Sequence, residues 1–130
     1  MSMWIITELG EFLSEVTSRD GTHRVIRARD KRSIRGVEEF INRLRGSEGE
    51  PVEVLEGAGT DYQYRISCTH DEWIEFISYR AETGIGTNHK NMVATNLGKD
   101  KGRGFLNAMM ETWSIWYSYQ ETLLRRGGHK

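Results

Sequence analysis

From Tyr62 onward the chain alternates, with Tyr62, Tyr64, Ile66 and Cys68 on one side and Gln63, Arg65 and Ser67 on the other. A period of two belongs to a strand whose successive side chains point to opposite faces, so the segment predicts a β-strand with one face on a core. A strand of that kind exposes unpaired N–H and C=O groups along both edges and needs neighbours. The chain offers several. Met3 to Glu8 and Phe12 to Val16 flank Gly10 and Glu11 as a hairpin, and Arg19, Asp20, Gly21 and Thr22 form an Asp-Gly turn into a third strand, His23 to Ala28. After Pro51, the only proline, Val52, Val54 and Leu55 suggest a short fourth strand that Gly57, Ala58 and Gly59 interrupt.

Helical spacing fills the intervals. Asp30 and Ser33 can cap a helix over about 31–45, whose Ile34, Val37, Phe40, Ile41 and Leu44 form one stripe before Gly46. Thr69 with Glu72 is a capping box, and it precedes Trp73, Ile74, Phe76, Ile77 and Arg80. Thr87 or Asn88 can cap a short helix holding Met92, Val93 and Leu97, with Gly98 as its terminator and Lys99 to Gly104 as a flexible basic loop. Phe105, Leu106, Met109, Met110, Trp113, Trp116, Tyr117 and Leu124 then mark a long last helix, too widely apolar to be covered on one side only. The order predicts an α+β domain: an antiparallel sheet of about five strands, helices on one face, and a long C-terminal helix. A ferredoxin-like βαββα over residues 23–82 is one way to connect it. One domain, 1–130, with a frayed tail over about 125–130, is the expectation for 130 residues.

Charge is uneven along the chain. The formal net charge is -1, yet residues 19–45 hold nine basic and four acidic residues, while 46–82 hold two basic and nine acidic. A near-neutral chain is a poor match to a protein living on phosphate backbones, whose affinity comes from counterion release. Opposite patches instead favour association of identical subunits. The longest apolar run, Met3 to Ile6, is far below the roughly 18–20 residues of a membrane span, and no secretory leader opens the chain, so a cytoplasmic protein without membrane partners is expected. A single cysteine allows no internal disulfide.

Chemistry-bearing motifs are few. Gly84, Ile85, Gly86, Thr87, Asn88, His89 and Lys90 could cradle an anion at a helix start, although capping and turning explain the same residues. Lys99, Lys101 and Arg103 among glycines could meet phosphate or an acidic partner. Tyr62, Tyr64 and Arg65 with Arg24 and Arg27 on a neighbouring strand could form a stacking and charge surface for bases. His23, His70, His89 and His129 are scattered, with no second His or Cys at ligand spacing, so neither a metal nor another cofactor is expected. Cys68 precedes His70 by two residues but falls on the inward face of its strand, which makes it a core thiol rather than a nucleophile.

Met3, Trp4, Ile5 and Ile6 with Phe12, Leu13, Ser14, Glu15 and Val16, then Val25, Ile26, Arg27, Ala28 and Arg29, and the run Asp61, Tyr62, Gln63, Tyr64, Arg65 resemble a family of small uncharacterised bacterial proteins. That family tends to carry Asn-Phe-Lys near a late helix and Trp in its closing helix. Asn88, His89 and Lys90 stand at the first place, with His for Phe, and Trp113 or Trp116 at the second. The resemblance implies a single bacterial or phage-type domain and supplies no activity.

Three functional readings follow. The first is a non-enzymatic interaction or self-association module, a homo-oligomer such as a dimer or the holder of a protein partner, with Trp113, Trp116 and Tyr117 at the interface. The second is a nucleotide or single-stranded nucleic-acid binder using Arg24, Arg27, Tyr62, Tyr64, Arg65 and the loops containing Gly86 to Lys90, Lys101 and Arg103. The third is a small enzyme built on His89, Lys90 and a carboxylate.

Overall fold

The computed structural model describes residues 2–7, 9–57, 61–83 and 97–127. The chain divides into two compact units, residues 1–87 and 88–130, taken here in turn.

The first unit is a five-stranded antiparallel sheet. Strand β1 (Met3–Ile6) pairs with β2 (Phe12–Thr17), and β2 with β3 (Arg24–Ala28). After helix α1 (Lys31–Arg45) comes β4 (Leu55–Glu56), then β5 (Tyr64–Cys68), then helix α2 (His70–Thr83). The strand order is β1-β2-β3-β5-β4. Within it β3, α1 and β4 make a split crossover, because β5 lies between β3 and β4 and is antiparallel to both. That much is the ferredoxin-like pairing. The place on the far side of β3 is taken by β2, from earlier in the chain, rather than by a strand after α2.

Local chemistry sets the connections. Gly10 and Gly21 supply positive φ (80° and 77°) in the two hairpin turns, where a Cβ would be strained. In the second turn the Asp20 carboxylate accepts from the Ser18 hydroxyl at 2.6 Å and from the Thr22 amide and hydroxyl at 3.0 and 2.7 Å. These donors, Ser18 foremost, hold its carboxyl well below the usual carboxylate range. Asp30 caps α1 by accepting from the Ser33 amide at 2.8 Å, and Gly46 (φ 75°) ends it. Ser33 lies within the helix and accepts from the Phe12 amide at 3.2 Å, which pins α1 to β2. The capping box forms as expected: the Thr69 amide donates to Glu72 and the Glu72 amide to the Thr69 hydroxyl, at 2.9 and 3.1 Å.

Strands β1 and β3 fall short of the expected Met3 to Glu8 and His23 to Ala28, and β4 and β5 are also shorter than the sequence implies. Strand β4 contains only Leu55 and Glu56, because the Val52 amide donates to Asn42 Oδ1 at 2.8 Å instead of to a ladder; Val52 and Val54 still pack on the core. Strand β5 starts at Tyr64, not Tyr62. The expected α1 stripe loses one member, since Leu44 is exposed.

One face of the sheet carries the core. Leu13, Ile26, Ala28, Ile66 and Cys68 meet Ile34, Val37 and Ile41 of α1 and Trp73 and Phe76 of α2. Full burial of a large aliphatic side chain here contributes about 1.5–3 kcal/mol. Two ion pairs tie the helices in. Arg80 of α2 reaches the Glu11 carboxylate, buried at the β1–β2 turn, with 2.8 and 3.0 Å bonds, and Thr7 Oγ1 donates to Glu11 at 3.0 Å. Gly36 makes room for this pair: a Cβ there would collide with Glu11 Oε2. Arg45 at the end of α1 forms a two-pronged pair with Glu72 at 2.7 and 3.0 Å.

The second unit holds helix α3 (Lys99–Gly127), 29 residues and so about 43 Å long. Its start corrects the expected flexible loop: Lys99 to Gly104 are helical, and the Gly98 carbonyl accepts the first helical bond from Gly102 at 2.8 Å. Extending an existing helix costs only about 1 kcal/mol per glycine, which the added hydrogen bonds offset. At the other end helix continues through Arg125 and Arg126, whose charges suit a helix C-terminus. The short helix expected over 87–97 lies outside the described residues apart from Leu97. Among the described residues no helix is long and apolar enough to cross a membrane.

Removing one partner of the buried Glu11–Arg80 pair strands the other, so Glu11→Ala is expected to cost about 3–5 kcal/mol in urea unfolding. Replacing both by apolar residues should cost clearly less. Glu72 is the pH-sensitive member of the second pair. Its bonds to Arg45, followed by those from Thr69, hold its pKa below the ordinary value. The stabilisation is therefore complete above the unfolded-state pKa of about 4.3 and is lost as pH falls through the lower folded-state value. Thermal melts across acidic pH should show Glu72→Gln losing less stability on acidification than the wild type.

Candidate functional site

Strand parity decides which charged residues stand together. On β3, Arg24 is three from Arg27 and faces the other way, while Arg29, just past the end of the strand, meets the same Tyr62 ring as Arg27. The register confirms this: Ser14, Arg27 and Arg65 form one row across β2, β3 and β5, with Trp4 beside Ser14 on β1. This row lies on the face away from α1, since the alternate residues Leu13, Ile26, Ala28 and Ile66 are in the core.

The outer face is a run of rings and guanidinium groups. The Arg27 and Arg29 Cζ atoms stand 4.4 and 4.5 Å from the ring centroid of Tyr62, which is buried. Arg29 also lies 5.9 Å from the Phe12 ring, and Phe12 is 5.6 Å from the exposed Trp4 ring. Arg27 Nη2 donates to the Ser14 hydroxyl at 2.8 Å, while its buried Nε has no hydrogen-bond partner among the described residues. Neither Arg27 nor Arg29 forms an ion pair with a carboxylate among the described residues. Arg65 sits directly across from Arg27, a like-charge pairing that a sheet ordinarily avoids.

The structure thus divides the five strand residues singled out by sequence. Arg27, Tyr62 and Arg65 come together. Arg24 and Tyr64 lie on the core side: Tyr64 packs against the core, and Arg24 pairs with Glu15 at 3.1 Å and donates from Nε to His70 Nδ1 at 3.0 Å. Tyr62, assigned to the inward face by strict alternation, instead precedes the strand at a bend and turns to the arginines. Trp4, Phe12, Ser14 and Arg29 were not singled out; the two-residue step from Arg27 to Arg29 was the available signal.

Of the remaining candidates, Gly86, Thr87, Asn88, His89 and Lys90 lie outside the described residues. Lys101 and Arg103 stand on α3 rather than on a loop, and two residues apart on a helix they point in different directions. Among the described residues no three His, Cys, Asp or Glu side chains converge to hold a metal ion. A cleft of about 320 Å³ between β1 and α2 is lined mainly by Met3, Ile5, Ile6, Phe76 and Ile77, with no nucleophile beyond Thr7.

Trp113, Trp116 and Tyr117 are exposed on α3, at 59%, 61% and 48%. Met110, Ile115, Tyr119, Leu123 and Leu124 are exposed with them. At 100° per residue, the apolar positions from Phe105 to Leu124, Ile115 apart, cover about 220° of the helix circumference. The rings stack on one another, Trp113 with Tyr117 at 5.2 Å and Trp116 edge-on to Tyr119 at 5.7 Å.

No family model, curated protein or solved structure matches the chain.

Cys68 is buried on the core face, where burial first, and the negative charge of Glu72 next, pushes its thiol up to about 12. It should therefore resist iodoacetamide in the folded protein near neutral pH and react promptly once the chain is unfolded in guanidinium. Alkylation at equal rates in both states would remove it from the core.

Proposed function

We propose that this protein is a non-enzymatic self-association module in which α3 is the assembling element and a second copy of the chain is its occupant. The observation that carries the reading is the set of large apolar side chains left exposed along α3. Contiguous apolar surface of that extent marks an interaction site.

Area and charge favour a second copy. Trp and Tyr side chains each offer about 150–250 Å², so four half-exposed aromatic residues with Met110, Leu123 and Leu124 supply about 600 Å² per chain. Two such faces bury about 1,200 Å², which reaches the range of specific, stable interfaces. A surface of this kind is self-complementary about a two-fold axis, the commonest oligomer symmetry. The net charge of -1 leaves little long-range repulsion between copies. A role in the cytoplasm of a bacterial or phage-infected cell is part of the same proposal.

Size-exclusion chromatography with light scattering tests it. The wild type is expected at twice the monomer mass or more, and Trp113→Glu with Trp116→Glu is expected to be a monomer with an unchanged circular dichroism signal from the sheet unit. A monomeric wild type at micromolar concentration, or an oligomer indifferent to both substitutions, would overturn the reading.

A further inference from the structure

On the outer side of the sheet Arg27 and Arg29 form no ion pair with a carboxylate among the described residues. Four other basic residues, Arg24, Lys31, Arg45 and Arg80, each meet a carboxylate. Arg27 and Arg29 meet aromatic rings instead, and Arg29 is exposed. Rings and the Ser14 hydroxyl order these two guanidinium groups but do not balance their charge. An anion would complete them.

The rings indicate what accompanies that anion. Trp4 is 55% exposed and continuous with Phe12, Arg29, Tyr62 and Arg27 at centroid distances between 4.4 and 5.9 Å. A planar base stacks on an aromatic face, and a guanidinium group both binds phosphate in two-pronged fashion and caps a ring. An acidic peptide would use the cations but not the ring surface. We infer that this face binds a nucleoside phosphate, its phosphate on Arg29 and Arg27 and its base on the Trp4–Phe12 surface. The free nucleotide and a single-stranded nucleic acid share this chemistry. The site rests on the sheet unit alone and stands or falls apart from the role of α3.

Fluorescence anisotropy of a short fluorescein-labelled oligodeoxythymidine, titrated with the full-length protein at several salt concentrations, tests the inference. Binding should weaken as salt rises. Arg29→Ala, at an exposed position that tolerates the change, should weaken it about tenfold and lower the salt slope by about one. Trp4→Ala should weaken it about fivefold or more. Arg19→Ala, in the β2–β3 turn, should leave it unchanged. Competition separates the sources: thymidine monophosphate displacing the probe as well as unlabelled oligomer, counted per nucleotide, identifies a nucleotide site, and displacement by the oligomer alone identifies a single-strand site. Absence of salt-sensitive binding, wild-type affinity in both Arg29→Ala and Trp4→Ala, or equal displacement by oligoglutamate would overturn it.

Discussion

A helix with apolar side chains over half its circumference is constrained by water before anything else. Backbone hydrogen bonds hold such a helix only marginally, and most helical stability in proteins comes from packing of the apolar face. In α3 that face includes Trp113 packed on Tyr117 and Trp116 edge-on to Tyr119, all of which remain exposed. Rings stacked within one helix hide only part of their area. What covers the rest determines whether α3 is a stable element, and this requirement gives the chain its proposed role.

The sheet unit meets its own requirements internally. Its core face is closed by α1 and α2, and the two helices are fixed by pairs of opposite character. Glu11–Arg80 is buried, supported by Thr7 and accommodated by Gly36, so its worth lies in specifying one arrangement of α2 against the β1–β2 turn. Arg45–Glu72 doubles as part of the cap of α2, which couples the end of one helix to the beginning of the next. Arg27, Arg29 and Arg65 stand on the opposite side of the sheet. Arg80 has both a carboxylate and the Phe76 and Tyr79 rings beside it, whereas Arg27 and Arg29 have rings but no carboxylate among the described residues.

Much of this was legible in the sequence where local chemistry decides the outcome. The bounds of α1 follow from Asp30, Gly46 and a three-and-four stripe, and the capping box at Thr69 and Glu72 located α2. Glycines placed both hairpin turns. Pairing order was not legible, because the position beside β3 is filled by β2 and nothing local distinguishes it from a later strand. The basic segment from Lys99 to Gly104 read as a loop because glycine weakens a helix residue by residue, whereas cooperativity acts over the whole of α3. At the arginine face, parity alone separated Arg24 from Arg27, yet the positions of Arg29 and Tyr62 depended on bends outside the strands.

The central claim is that a second copy covers α3, and amide hydrogen exchange measured at low and high protein concentration tests it most directly. The account predicts that protection across residues 105–124 rises with concentration while protection in β2, β3 and β5 stays constant. Protection of that segment independent of concentration, whether strong or absent, would contradict it.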